Sequence, residues 1–232
     1  MKSIVSFFRS IPLYGWLLGG GHLLGGYALY LLADPLRRAL GTDRWAFIPK
    51  LPVLDDLTPL IPVFVVIYIF SYVFWVCGTA AVSLTGKQHY INYLWGLLAS
   101  LLVGFLFFVF APTYIDRVAE GAMAEVQKPG LFRWMLGFIY RSDGGNLGYN
   151  LFPSLHCQSS LYCYLGVRKR PEIPGWFRRY TLVMVVLICL STLFTRQHYC
   201  MDVVSGLAVA AICYALAQKL DPGRHFTKNK EY

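Results

Sequence analysis

His198 and Asp202 stand four residues apart in TRQHYCMD (195–202), and His156 ends an earlier stretch, FPSLH (152–156). A carboxylate four residues from a histidine meets it on one face if a helix runs through both. Bonded to Nδ1, it leaves Nε2 unprotonated and directed outward, so His198 is a candidate nucleophile. His156 comes from another segment and is suited to protonate a leaving group. Arg117 and Arg196 indicate the kind of substrate. A guanidinium fork matches phosphate oxygens and stabilises the charge that spreads over them in the transition state. Pro153 suits the first turn of a helix, and the N–H groups near Ser154 to His156 are then free to hold an anion. Together these residues read as phosphoryl transfer through a phosphohistidine. No acidic cluster suggests magnesium. The six cysteines show no CxxC spacing, so neither a zinc site nor a disulfide framework is expected. No cofactor is called for.

Such groups need elements that bring them to one depth. The 232 residues are 56% hydrophobic and 14% charged, against about 45–50% and about 25% in soluble domains. That shift is towards a membrane protein. Apolar runs near 11–33, 59–82, 91–111, 151–167, 180–197 and 202–218 approach the ~20 residues needed to span a bilayer. The expectation is an all-α, six-span bundle forming one integral domain over 1–232, with the catalytic core at about 110–206. His156, Arg196, His198 and Asp202 all fall at junctions of the last three spans, with Arg117 just after the third. On insertion scales each such charge costs about 2.5–3.5 kcal/mol, so their convergence at one end points to a site.

In the first span, glycine pairs four apart (Gly15/Gly19 and Gly21/Gly25) permit close helix packing, and His22 among them reads as an interhelical packing histidine. Leu131, Trp134, Met135, Phe138 and Ile139 recur at helical spacing in 129–141. They predict an amphipathic helix in the headgroup layer or a lid packed on the bundle. The roles of Asp55 and Asp56, just before the second span, stay open.

Six spans put both termini on one side. Twelve of the 21 Lys and Arg residues fall on that side, including the tight groups RKR (168–170) and RR (178–179). By the positive-inside rule both termini are cytoplasmic and the site is extracytoplasmic. The net charge of +9 is spread over short loops rather than a basic patch, which argues against nucleic acid.

The motifs carry a family resemblance. FPSLH (152–156) resembles the PSxH motif of the type 2 phosphatidic acid phosphatase (PAP2) superfamily. TRQHYCMDVVSG (195–206) resembles its third motif, and FAPTYIDR (110–117) the end of its first. Phe110 stands where the first motif usually has lysine. RQHYCMD and DDLTPLIPVFVVIY (55–68) are more similar to the branch that includes inositol phosphorylceramide synthases and sphingomyelin synthases. The resemblance implies a six-helix membrane enzyme needing no metal. His198 would be the nucleophile, Asp202 its orienting partner and His156 the acid–base group, with Ser154, Arg117 and Arg196 holding the phosphate. The substrate would be a lipid phosphate or phospholipid. Transfer to water makes a phosphatase; transfer to a lipid or polyol hydroxyl makes a headgroup transferase. A transporter or scaffold with the same fold is the reading from a different class.

Overall fold

The computed structural model describes residues 4–227. In chain order its elements are α1 (Ile4–Arg9), α2 (Leu13–Leu40), α3 (Pro52–Leu57), α4 (Val65–Val82), α5 (Lys87–Phe110), β1 (Tyr114–Asp116), α6 (Ala122–Val126), α7 (Leu131–Ser142), β2 (Leu147–Tyr149), α8 (Leu155–Val167), α9 (Gly175–Phe194), α10 (Cys200–Leu220) and α11 (Gly223–Thr227). Short 3-10 turns flank α4 and follow α2. The all-helical expectation needs one amendment. β1 and β2 form a small antiparallel ribbon, Tyr114 opposite Tyr149, which ties the segment after α5 to the segment before α8.

Among the described residues, four stretches are long and apolar enough to cross a membrane: Pro62–Thr85, Lys87–Phe110, Gly175–Phe194 and Cys200–Leu220. The other two expected spans fall short for different reasons. α2 has 28 residues, but its glycines, tyrosines, His22 and the Asp34/Arg37/Arg38 group dilute its apolarity. α8 has 13 residues, about 20 Å at ~1.5 Å per residue. Enclosure makes its shortness tolerable: it packs against α4, α9 and α10, and its Cys157, Gln158, Ser159 and Ser160 are buried. Irregular or polar backbone at membrane depth is stable when protein covers it. Large apolar side chains such as Leu17, Leu24, Val73, Leu106, Val186 and Ile212 lie exposed around the outside. A surface this apolar fits lipid, not water. The chain is an integral membrane protein.

Small residues set the helix contacts, as expected where lipid removes the hydrophobic drive to associate. A Cβ at Gly15 would clash with Ser83 Oγ, and one at Gly19 would meet the Val76 carbonyl at 2.5 Å, so α2 touches α4 there. The Gly21/Gly25 expectation fails: both face open space, on the side of α2 turned away from its neighbours. His22 is the packing histidine expected. Nδ1 lies 3.0 Å from Thr79 Oγ1 on α4 and Nε2 lies 3.2 Å from Ser159 Oγ on α8.

Successive long helices alternate in direction, so the ends of α2, α5 and α9 meet the starts of α4, α8 and α10. At the opposite end gather Arg9, Lys87, Arg168, Lys169, Arg170, Arg178, Arg179, Lys219 and Arg224; Lys2, Lys228 and Lys230, counted with them above, lie outside the described residues. The amphipathic helix materialises as α7. Leu131, Trp134 and Phe138 are exposed, while Leu136 and Tyr140 are buried beside Val65 and Ala122.

Candidate active site

At the end where α4, α8 and α10 start, a cavity of about 180 Å³ opens between α2, α4, α7 and α8. His156 and His198 both line it, with Gln197 and Asp143 beside them. On α2 its lining runs from Leu31 down to His22, about 13 Å along the helix axis. Tyr27, Tyr30, Tyr68, Tyr72 and Trp75 make most of the lower wall aromatic. Parts of the wall thus come from α2 and α4, upstream of residue 110.

α8 does not begin as its sequence suggests. Ser154, not Pro153, controls the start: it is the N-cap, and its Oγ accepts from the Cys157 N–H at 3.4 Å. A serine oxygen satisfies an orphan first-turn donor, which is why serine is favoured there. Pro153 precedes the cap. Ser154 is fully buried and is not part of the cavity wall. Its N–H donates to the Asp202 carbonyl at 3.0 Å, which joins the starts of α8 and α10.

That junction depends on Gly206. A Cβ there would lie 2.5 Å from the Ser154 carbonyl oxygen, a backbone atom that cannot swing aside. Gly206→Ala must therefore push α8 away from α10 and separate His156 from His198. An active site displaced by about 1 Å loses on the order of 10²-fold in rate. Assays of kcat/KM on protein with an unaltered helical spectrum check this; wild-type turnover would show the junction to be compliant.

His198 and Asp202 meet, but not along a helix. α10 starts at Cys200, and Asp202 sits in its first turn and reaches back over the helix start. Its Oδ2 accepts from the Tyr199 N–H at 2.8 Å and lies 3.5 Å from His198 Nδ1. That last separation exceeds the ~2.7–3.2 Å of a formed hydrogen bond, and catalytic contacts of this kind tighten when substrate binds. Asp202 is fully buried and His198 is 7% exposed. Across the gap, His156 stacks on Tyr68 with centroids 4.2 Å apart, and Tyr72 and Trp75 meet it edge-on. The two imidazole centroids are 6.1 Å apart. Among the described residues His156 Nε2 has no hydrogen-bond partner.

Neither expected phosphate-holding arginine lines the cavity. Arg196 has a positive φ of 48°, which turns its side chain away from the His198 side of the loop. Its guanidinium donates to the carbonyls of Asp55 and Thr58, both at 2.8 Å, with Glu120 at 3.7 Å. The Asp55 carboxylate accepts from the N–H groups of Leu51 at 2.7 Å and Cys200 at 2.8 Å. Asp55 and Arg196 therefore fasten the segment before α4 to the start of α10. Asp56 pairs with Lys50 at 2.6 Å.

Arg117 is fully buried behind the cavity wall. It donates to the Asp143 and Gly145 carbonyls, both at 2.8 Å, to Gln197 Oε1 at 3.0 Å, and to the Asp143 carboxylate. Tyr140 covers its face at 4.7 Å. Asp143 also accepts from the Tyr30 hydroxyl. Burial pushes the Asp143 carboxyl above the usual carboxylate range, although the Arg117 guanidinium pulls the other way. Asp143, Gln197 and Tyr30 are site residues that the motifs did not single out. Gln197 stands inside TRQHYCMD, between Arg196 and His198; Asp143 and Tyr30 carry no motif signal.

What converges at the cavity is a carboxylate–histidine pair, a second histidine across a gap, and a buried arginine one layer behind. A family model described as PAP2 superfamily matches residues 37–216, which contain all of these groups. The inositol phosphorylceramide synthase catalytic subunit aur1 of Schizosaccharomyces pombe is 28% identical over 114 residues, covering 47% of this chain and 24% of its own length. The chain thus spans about a quarter of that curated relative. No solved structure gives a significant match.

Proposed function

The chain belongs to the PAP2 superfamily, and from that premise we propose that it is a membrane-embedded phosphotransferase working through a phosphohistidine on His198. One observation carries the reading: His198, backed by Asp202, faces His156 across one cavity wall. Asp202 holds the proton on Nδ1, and the free Nε2 lone pair attacks phosphorus. The phosphorus–oxygen bond to the leaving alcohol breaks, and His156 delivers a proton to that oxygen. An acceptor hydroxyl then attacks the phosphohistidine while His156 takes its proton, and the nitrogen–phosphorus bond breaks to restore His198. Arg117 supplies positive charge from behind Gln197 and Asp143. Ser154 acts through the start of α8, and Arg196 acts by holding the loop that carries His198; these are positioning roles.

Two observations favour headgroup transfer from a phospholipid over hydrolysis of a lipid monophosphate. Among the cavity-lining residues there is no Lys or Arg, and the one carboxylate is Asp143. Arg117 is balanced by Asp143 and Arg196 is engaged with Glu120. A doubly charged phosphomonoester would enter a low-dielectric space without cations to match it, whereas a phosphodiester brings a single charge. The similarity to a synthase of a phosphodiester lipid points the same way. In this reading α2 and α8 complete a six-span domain, with both termini cytoplasmic and the cavity opening to the extracytoplasmic leaflet.

The test is a panel of lipid monophosphates and phosphodiester lipids, each with and without lipid and polyol alcohols, with products resolved by mass. The expected result is a headgroup moved onto an added hydroxyl, undiminished by EDTA. Inorganic phosphate released from monophosphates, with no transfer to any acceptor, would make the protein a phosphatase.

A further inference from the structure

The resting protein already has an anion on its buried arginine. Arg117 has four acceptors: two backbone carbonyls, the Gln197 amide oxygen and the Asp143 carboxylate. A carboxylate on a guanidinium fork has the geometry of a phosphate on the same fork. The partners differ in freedom. The Arg117 side chain is 0% exposed, while that of Asp143 is 21% exposed and Asp143 lines the cavity. Rotation of the Asp143 side chain alone would free one N–H of Arg117 Nη2, whose other bond goes to Gln197 Oε1. The carbonyls of Asp143 and Gly145 would continue to hold the guanidinium in place, while the Tyr30 hydroxyl donates to the carboxylate in its closed position and helps to keep it there.

Resting on the reading in which Arg117 supplies positive charge to the substrate phosphate, we propose that Asp143 is a displaceable latch, a carboxylate that occupies a seat on the cavity side of Arg117 until the substrate phosphate replaces it. The displaced carboxylate stays tethered beside the seat, so the incoming phosphate adds its whole charge to the site, one for a phosphodiester and two for a monoester dianion, and the latch therefore also weighs against monoesters. Asp143 stands just after α7, whose outer face presents Leu131, Trp134 and Phe138, so the latch is carried by the helix placed to meet the lipid headgroups.

Inorganic phosphate is the probe, with binding to purified protein measured by calorimetry. A ligand's apparent affinity falls by the fraction of sites that are competent, so a seat open about a tenth of the time binds roughly tenfold more weakly than one always open. Asp143→Ala is expected to bind phosphate about tenfold tighter or more by that relation. Tyr30→Phe, which removes one of the latch's donors and leaves Arg117 untouched, is expected to shift affinity the same way by less. Adding Arg117→Gln to Asp143→Ala should abolish the gain. Unchanged or weaker phosphate binding in both Asp143→Ala and Tyr30→Phe overturns the latch; should Asp143→Ala not fold, Tyr30→Phe alone decides. Tightening that survives Arg117→Gln overturns the underlying assignment of the phosphate seat instead.

Discussion

His198→Ala is expected to reduce turnover of lipid phosphate esters by about 10⁴-fold or more, because it removes the atom that forms the covalent intermediate. The loss should be in kcat, for every donor and acceptor, and no added alcohol should restore it. The fold should survive. Asp202 keeps its 2.8 Å bond to the Tyr199 N–H, so the start of α10 stays capped, and the Ser154–Asp202 backbone link remains. Among the described residues the His198 side chain has only the long 3.5 Å approach to Asp202, and its backbone N–H keeps its 3.1 Å bond to the Thr192 carbonyl in the variant. Kinetics with the purified variant, together with its melting temperature, check the result. Substantial activity in a folded His198→Ala protein would remove His198 from the chemistry.

His156→Gln has the next largest expected effect, about 10²- to 10⁴-fold for an alkyl leaving group, the range of a lost general acid. Glutamine approximates the histidine's size, so the packing of Tyr68, Tyr72 and Trp75 around it is disturbed less than by alanine. The defect should depend on the leaving group. An alkoxide needs a proton to depart, whereas a nitrophenolate does not. A nitrophenyl phosphodiester should therefore recover most of the lost rate in the first half-reaction of His156→Gln and none in His198→Ala. An equal defect on both esters would make His156 a structural residue of the aromatic cage rather than a proton donor.

The apolar runs located α2, α4, α5, α8, α9 and α10, although only α4, α5, α9 and α10 are long and apolar enough to span a membrane. Depth alone also brings His156, His198 and Asp202 to one end. Direction around each axis was less legible. In a helix, spacing fixes direction; in the loop 195–199 it does not. The left-handed turn at Arg196 sends that guanidinium towards Asp55 and Thr58, although it stands two residues from His198. The motif position of Ser154 suggests a phosphate contact, but its hydroxyl caps the start of α8. The Tyr30–Asp143–Arg117–Gln197 chain joins a helix, two loops and the residue before the nucleophile. No period links such positions, so only the folded arrangement reveals them.

The central claim is a covalent phosphoryl group on His198. Rapid quenching during turnover of an isotopically labelled phospholipid donor, followed by peptide mapping at alkaline pH, where phosphoramidates persist, addresses it directly. The account predicts label on the peptide containing His198, lost on mild acid treatment and absent from His198→Ala. Label on a different residue, or full turnover with no covalent species at any time point, would contradict it.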